Sequence, residues 1–203
     1  MIEQARRPIA ARGAAPTRWL TGRLLRTRIT PNQVSLASIG FAAIGAAALL
    51  VGPGWLWLAV LGIQLRLLCN LLDGMVAVEG GRSSPLGALY NEVPDRVADS
   101  LLLVALGIAA GQPWLGWAGA LAAMMTAYIR TLGGALGLPQ DFRGPMAKQH
   151  RMAVLTAGCV LGLLEWVLEW PSRALLIAAW VILAGSVMTC GTRLLAIARL
   201  LRP

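Results

Sequence analysis

Charge is what this chain has least of. Only 13% of its 203 residues are Asp, Glu, Lys or Arg, against 57% hydrophobic, and the mean hydropathy is +0.67. Soluble domains carry about 25% charged residues, so a water-soluble globule is excluded and an integral membrane protein is implied. Acidic residues are scarcer than basic ones, nine against eighteen. There is one histidine. The three cysteines, Cys69, Cys159 and Cys190, lie far apart in apolar runs with no Cys-x2-Cys or Cys/His spacing. That pattern argues against a zinc site and a disulfide framework, and the thiols read as small core residues. The start of the chain lacks the basic, then apolar, then small-residue order of a signal peptide and reads as retained.

At about 20 residues per span, what is present is enough apolar sequence for six helices. Residues 1–30 differ from the rest. They hold seven basic residues, Arg6, Arg7, Arg12, Arg18, Arg23, Arg26 and Arg28, interleaved with Trp19, Leu20, Leu24 and Leu25. This suits an amphipathic helix lying on an anionic membrane face; a nucleic-acid arm is disfavoured because the remainder is lipid-grade sequence. Thr30-Pro31 then reads as a hydroxyl cap followed by proline at the first helical position. The expected spans are 31–51, 55–78, 86–110, 114–136, 152–170 and a last one ending near Ile197. They are separated by Gly52-Pro53-Gly54, Gly80 to Pro85, Gly111-Gln112-Pro113, a polar stretch from Gly137 to Arg151, and Pro171-Ser172-Arg173. The expected architecture is therefore an all-α integral membrane protein, with an interfacial segment over 1–30 and a six-helix domain over 31–203. Arg82, Arg143, Lys148, Arg151, Arg199 and Arg202 fall on the same side as the basic start, while the opposite turns hold only Arg173. The positive-inside rule puts both termini in the cytoplasm, in a bacterial inner membrane.

Five of the nine acidic residues, Asp73, Glu79, Glu92, Asp95 and Asp99, crowd into 70–99, at the cytoplasmic ends of the second and third spans. A carboxylate in hydrocarbon costs about 2.5–3.5 kcal/mol on insertion scales, so a group of them calls for a common purpose. At about 100° per residue, Asn70 and Asp73 share one helix stripe, and Asn91, Asp95 and Asp99 another. Carboxylate and amide oxygens suit a hard cation, Mg²⁺ or Mn²⁺. Gly74 and Ala77 leave the backbone bare beside Asp73, for close packing or for a substrate. Lys148, His150 and Arg151 open the fifth span, where cations can hold phosphate. Arg66, Arg130 and Arg193 are intramembrane arginines. A transporter would need acids reachable from both sides, and these lie at one end.

The order Asn70-x2-Asp73-Gly74-x2-Ala77, then Gly87-x3-Asn91-x3-Asp95, resembles the signature of the CDP-alcohol phosphatidyltransferases, Asp-x2-Asp-Gly-x2-Ala-Arg followed by Gly-x3-Asp-x3-Asp. Two aspartates of that pattern are Asn70 and Asn91 here, and its arginine is Val78. The resemblance implies transfer of a substituted phosphate from a CDP-lipid, CDP-diacylglycerol, to an alcohol with release of CMP, by a homodimer. It implies Asn70, Asp73, Asn91 and Asp95 as ligands of a divalent cation and Asp95 as general base. Gly74, Ala77, Gly87, Lys148, Arg151 and Arg130 are expected to line the substrates. Glu79, Glu92 and Asp99 are expected to supply further acid to the site, and Arg96 to pair with Asp99 at i+3. The two asparagines also admit a non-catalytic headgroup- or nucleotide-binding protein on the same fold.

Overall fold

The computed structural model describes residues 15–82 and 85–201. Arg6, Arg7, Arg12 and Arg202 of the basic segments lie outside the described residues. Among the described residues there are seven α-helices: α1 Ala15–Leu25, α2 Pro31–Val51, α3 Leu56–Glu79, α4 Gly87–Ala109, α5 Pro113–Ala135, α6 Lys148–Val167 and α7 Ala174–Leu200. Among the described residues four helical segments, Pro31–Val51, Pro53–Glu79, Lys148–Val167 and Ala174–Leu200, are long and apolar enough to cross a membrane. The 23 residues of α4 also suffice in length. Between Glu92 and Asp99, however, it carries Glu92, Asp95, Arg96 and Asp99, which lowers its apolarity.

Local chemistry sets the helix ends. Thr30 accepts a hydrogen bond from the Gln33 N–H while the Gln33 side chain accepts from the Thr30 N–H, and Pro31 follows at the first position. This capping box satisfies two backbone donors that the helix start would otherwise leave open. Pro94 lies buried inside α4, which continues through it. The helix α6 begins at Lys148, four residues earlier than hydropathy places it. Two of its opening cations, Lys148 and Arg151, point at Asp95 and Asp99 of α4, so they do not need water.

Close helix contacts depend on small residues. A Cβ built on Gly62 of α3 would lie 2.7 Å from the Phe41 carbonyl oxygen and 2.9 Å from the Gly45 Cα of α2. On Gly158 of α6 it would lie 2.7 Å from the Ala178 Cβ of α7. With backbones this near, dispersion contacts hold the helices together where lipid gives no hydrophobic drive. Leu49, Leu56, Ile63, Leu102, Leu103, Leu106, Met152, Leu155 and Ile182 fill the apolar core.

The two ends of the bundle differ. Trp55, Trp57, Trp114, Trp117, Trp166, Trp170 and Trp180 are exposed at one end, as suits a membrane interface. The starts of α2, α4 and α6 and the finishes of α3, α5 and α7 form the other end, which holds the ion pairs. There α1 packs on α3: Thr21 Oγ1 bonds the Thr17 carbonyl oxygen (2.9 Å) and meets the Met75 Sδ at 3.7 Å. Leu20 and Leu24 pack on Val34, Cys69 and Leu72. Arg82 ties down the connection to α2, donating to the carbonyl oxygens of Leu25 (3.3 Å), Thr27 (3.2 Å) and Ile29 (3.0 Å).

Candidate active site

Arg66, Asn70 and Asp73 fall at i, i+4 and i+7 of α3 and so share a stripe. That stripe faces α2, α4 and α6. Arg66 is fully buried. Its Nη2 donates to Asp99 Oδ1 at 2.5 Å and reaches Asp95 Oδ1 at 3.4 Å. The other oxygen of Asp99 accepts from Arg151 Nη2 at 2.9 Å. Arg151 also donates to the Met146 carbonyl oxygen (2.9 Å) and, at longer range, to Thr126 Oγ1 (3.4 Å). Asp99 is thus clamped between two arginines from α3 and α6, a network away from water and fixed by geometry.

Asp95, one turn nearer the membrane surface, is held by Lys148 Nζ through Oδ2. Arg96 Nη2 stands 3.6 Å from the same oxygen and Arg66 3.4 Å from Oδ1. Three cations therefore surround this carboxylate. Asp73 is different. Its Oδ2 accepts from Ser35 Oγ of α2 at 2.6 Å, and the Gly74 backbone N–H bears on the carboxylate. Its Oδ1 is buried without an aligned hydrogen-bond donor. Asn70 Nδ2, on the same stripe, is likewise buried and unpaired. A buried polar atom with no partner is costly, so two neighbouring ones indicate room for a ligand.

The other expected site residues are distributed as follows. Gly74, Ala77 and Gly87 are half-buried at the charged end. Asn91 is exposed at the start of α4, and Glu79 is exposed on α3. Glu92 pairs with Arg130 of α5, whose guanidinium lies 5.4 Å from the Phe142 ring centroid. Arg96 pairs with Glu92 (3.7 Å) and Asp95 rather than with Asp99, because Arg66 and Arg151 already take both Asp99 oxygens. Arg151 is 1% exposed; the cations nearer the surface are Lys148 and Arg130. Arg193 closes the rim, donating to the carbonyl oxygens of Thr126 (2.6 Å) and Arg143 (2.9 Å). Arg143 in turn pairs with Asp141 at 3.0 Å, and the guanidinium holds that exposed-loop carboxyl below the usual carboxylate range. Ser35 escapes a reading by charge, although its place one turn into α2, at the same end as Asp73, is a signal in the sequence.

A divalent cation can be tested against these residues. Among the described residues no three His, Cys, Asp or Glu side chains come together as a metal cluster. The cause is visible: two of the motif positions are amides, and Asp95 and Asp99 are wrapped in cations. Asp73 Oδ1 and the Asn70 amide, whose oxygen and nitrogen exchange by rotation about the last bond, do fit a hard cation, as oxygen donors.

The sequence profile of the CDP-alcohol phosphatidyltransferases matches residues 28–191, and the chain belongs to that family. It is an enzyme of phospholipid synthesis, a metal-dependent transferase. It is 40% identical over 145 residues to a bifunctional IPC transferase and DIPP synthase of Rubrobacter xylanophilus; that match covers 68% of this chain but only 33% of the relative, so the chain spans about a third of that protein's length. It is 31% identical over 182 residues to the phosphatidylinositol phosphate synthase of Mycobacterium marinum, covering 84% of this chain and 74% of the relative. Crystal structures of the Mycobacterium tuberculosis phosphatidylinositol phosphate synthase superpose with a TM-score of 0.76 at 25% identity. One holds manganese and citrate, covering 90% of this chain and 88% of that one. The other holds CDP-DAG, covering 91% and 94%.

Proposed function

We propose that this chain transfers the substituted phosphate of CDP-diacylglycerol to a phosphorylated polyol of the inositol phosphate class, releasing CMP. The observation that carries the reading is the meeting of Asp73, Asp95 and Lys148 at the charged end, beside a rim that holds Arg130 and Arg193. The names of the relatives and the CDP-DAG bound to the mycobacterial enzyme support the donor and the acceptor class. The cationic rim suits an acceptor that carries its own phosphate.

When bound, a divalent cation neutralises diphosphate charge and stabilises charge that builds on it in the transition state. Asn70 and Asp73 would hold it, with Asn91 at the mouth. Lys148, Arg66 and Arg96 hold the Asp95 carboxylate in place. Asp95 accepts the acceptor hydroxyl's proton as that oxygen attacks the β-phosphorus; the bond to the bridging oxygen breaks, and CMP leaves with the electron pair. Gly74, Ala77 and Gly87 leave backbone open for the donor. Arg130 takes the acceptor's phosphate by exchanging Glu92 for it. Glu79 is an exposed acid at the entrance, and Asp99 fixes the frame with Arg66 and Arg151.

We place residues 31–203 as one six-span domain of an inner-membrane homodimer, with 1–30 along the cytoplasmic interface and both termini in the cytoplasm. CMP release from CDP-diacylglycerol tests the function, with inositol phosphate, glycerol phosphate, inositol and serine as acceptors, in Mg²⁺, Mn²⁺ or EDTA. The expected result is metal-dependent release with inositol phosphate that Asp95→Asn abolishes. Donor binding without release from any acceptor would instead establish a non-catalytic binding protein.

A further inference from the structure

Asp73 and Asp95 lie close enough at the charged end to feel each other's charge, yet their surroundings are opposite in kind. One oxygen of Asp73 is occupied by a neutral hydroxyl, that of Ser35, and the other has no aligned donor. Asp95 has cations at both oxygens: Arg66 at Oδ1, and Lys148 and Arg96 at Oδ2. A metal ion approaching Asp95 would have to displace an ammonium that is already in contact, with two guanidinium groups close behind it. Charge repulsion at such distances in a partly dry site opposes that approach. At Asp73 no cation is in contact: its partners are the neutral Ser35 hydroxyl and the Gly74 backbone N–H. Asn70 is the neighbour on the same stripe, with an unpaired buried amide nitrogen. Asn91, one turn before Asp95, adds no negative charge to draw a metal toward α4, and it is exposed.

We infer that the two aspartates divide the work: a single divalent cation seats on Asp73 with Asn70, and Asp95 is not a metal ligand but is held by Lys148, whose ammonium is a second positive charge built into the chain. The lysine is well placed for this. It is the first residue of α6, so its stem runs along the protein while its head meets Asp95. Arg66 backs the carboxylate from the other side and is itself fixed by Asp99. With the lysine part of the chain and the amides neutral, the cleft carries one exchangeable cation where its outline of four oxygen-bearing side chains suggests more.

The inference rests on the cation use of the proposed reaction, and metal binding alone tests it, so the two can fail separately. Purified full-length protein in nanodiscs is titrated with Mn²⁺, and free Mn²⁺ is read by electron paramagnetic resonance, with and without CDP-diacylglycerol. One Mn²⁺ per chain is expected. Asp73→Asn should weaken it at least tenfold, whereas Asp95→Asn should leave it within about threefold. Lys148→Met should admit a second, weaker Mn²⁺, and the double variant Lys148→Met/Asp95→Asn should return the count to one. Two Mn²⁺ on the unaltered chain, no Mn²⁺ at all, or equal losses from Asp73→Asn and Asp95→Asn would each overturn the division. A Lys148→Met chain that still binds one Mn²⁺ would remove the lysine from its role. Elution volume and thermal unfolding of every variant separate these results from misfolding, and the Asp73→Asn and Asp95→Asn pair decides the matter even if Lys148→Met does not fold.

Discussion

Asp99 shows how much a single side chain can hold at this site. It is 2% exposed and satisfies two arginines from two helices at once. Removing one partner of a buried pair leaves the other charged and unpaired, which costs about 3–5 kcal/mol. Asp99→Asn takes the nearest carboxylate from two guanidinium groups and should fall at the upper end of that range; Arg66→Met leaves Asp99 with Arg151 and should fall at the lower end. Thermal unfolding in a single detergent measures both, and a loss below about 1 kcal/mol from Asp99→Asn would show that the network carries little of the stability. Ser35→Ala is the milder change. It removes one hydrogen bond from Asp73, worth about 1 kcal/mol, and should move Mn²⁺ affinity more than unfolding temperature. The acids and the intramembrane arginines are legible in the sequence because charge in an apolar run stands out. Their pairing is not, since Asp99 and Arg151 are 52 residues apart, and they meet only because α6, packed on α3 and α7, reaches across to an α4 that packs mainly on α2 and α5. Arg96 illustrates the difference: local spacing offers it Asp99, but residues distant in sequence have already claimed both oxygens.

Helices are where the sequence reads most clearly, and their starts show why. Span one is bounded on both sides by backbone chemistry, Thr30-Pro31 before it and Gly52-Pro53 after it, and α2 runs from Pro31 to Val51 as expected. The α6 start misleads a hydropathy reading, because Lys148, His150 and Arg151 look like loop until Asp95 and Asp99 are placed opposite two of them. Close approach of helices is a property of pairs and is likewise hidden in any one segment. Gly62 illustrates it: a Cβ there would meet the α2 backbone at 2.7 Å, whereas at Gly40 it would meet nothing within 4 Å. Gly62→Ala should therefore cost about 1–3 kcal/mol by overpacking, while Gly40→Ala should be neutral or slightly stabilising because alanine is the better helix former. Comparing the unfolding temperatures of the two variants checks this. The Arg82 clamp makes a separate prediction for α1. Arg82→Ala releases three carbonyl oxygens at its end, so trypsin should cut after Arg26 or Arg28 several-fold faster, with the membrane domain left intact on a gel.

At the scale of the whole molecule, the asymmetry between the ends predicts an orientation. Seven tryptophans mark one interface, and the ion pairs and most of the basic residues mark the other. The membrane potential and the anionic inner leaflet both favour cations inside. The cleft proposed for the CDP-lipid is therefore expected to open to the cytoplasm, where a water-soluble nucleotide product can leave. Thiol labelling tests this directly, since Cys69 and Cys159 are buried and Cys190 is half-buried, leaving little background. Ser172→Cys sits in the exposed turn between α6 and α7, and Gln140→Cys in the exposed loop between α5 and α6. A membrane-impermeant maleimide added to intact cells should label Ser172→Cys and spare Gln140→Cys until the cells are lysed. The reverse pattern would turn the bundle over and put the cleft on the face away from the nucleotide pool. Labelling of both positions in intact cells would mean that α6 and the loops at its two ends do not cross the bilayer, and the six-span arrangement would fall with the orientation.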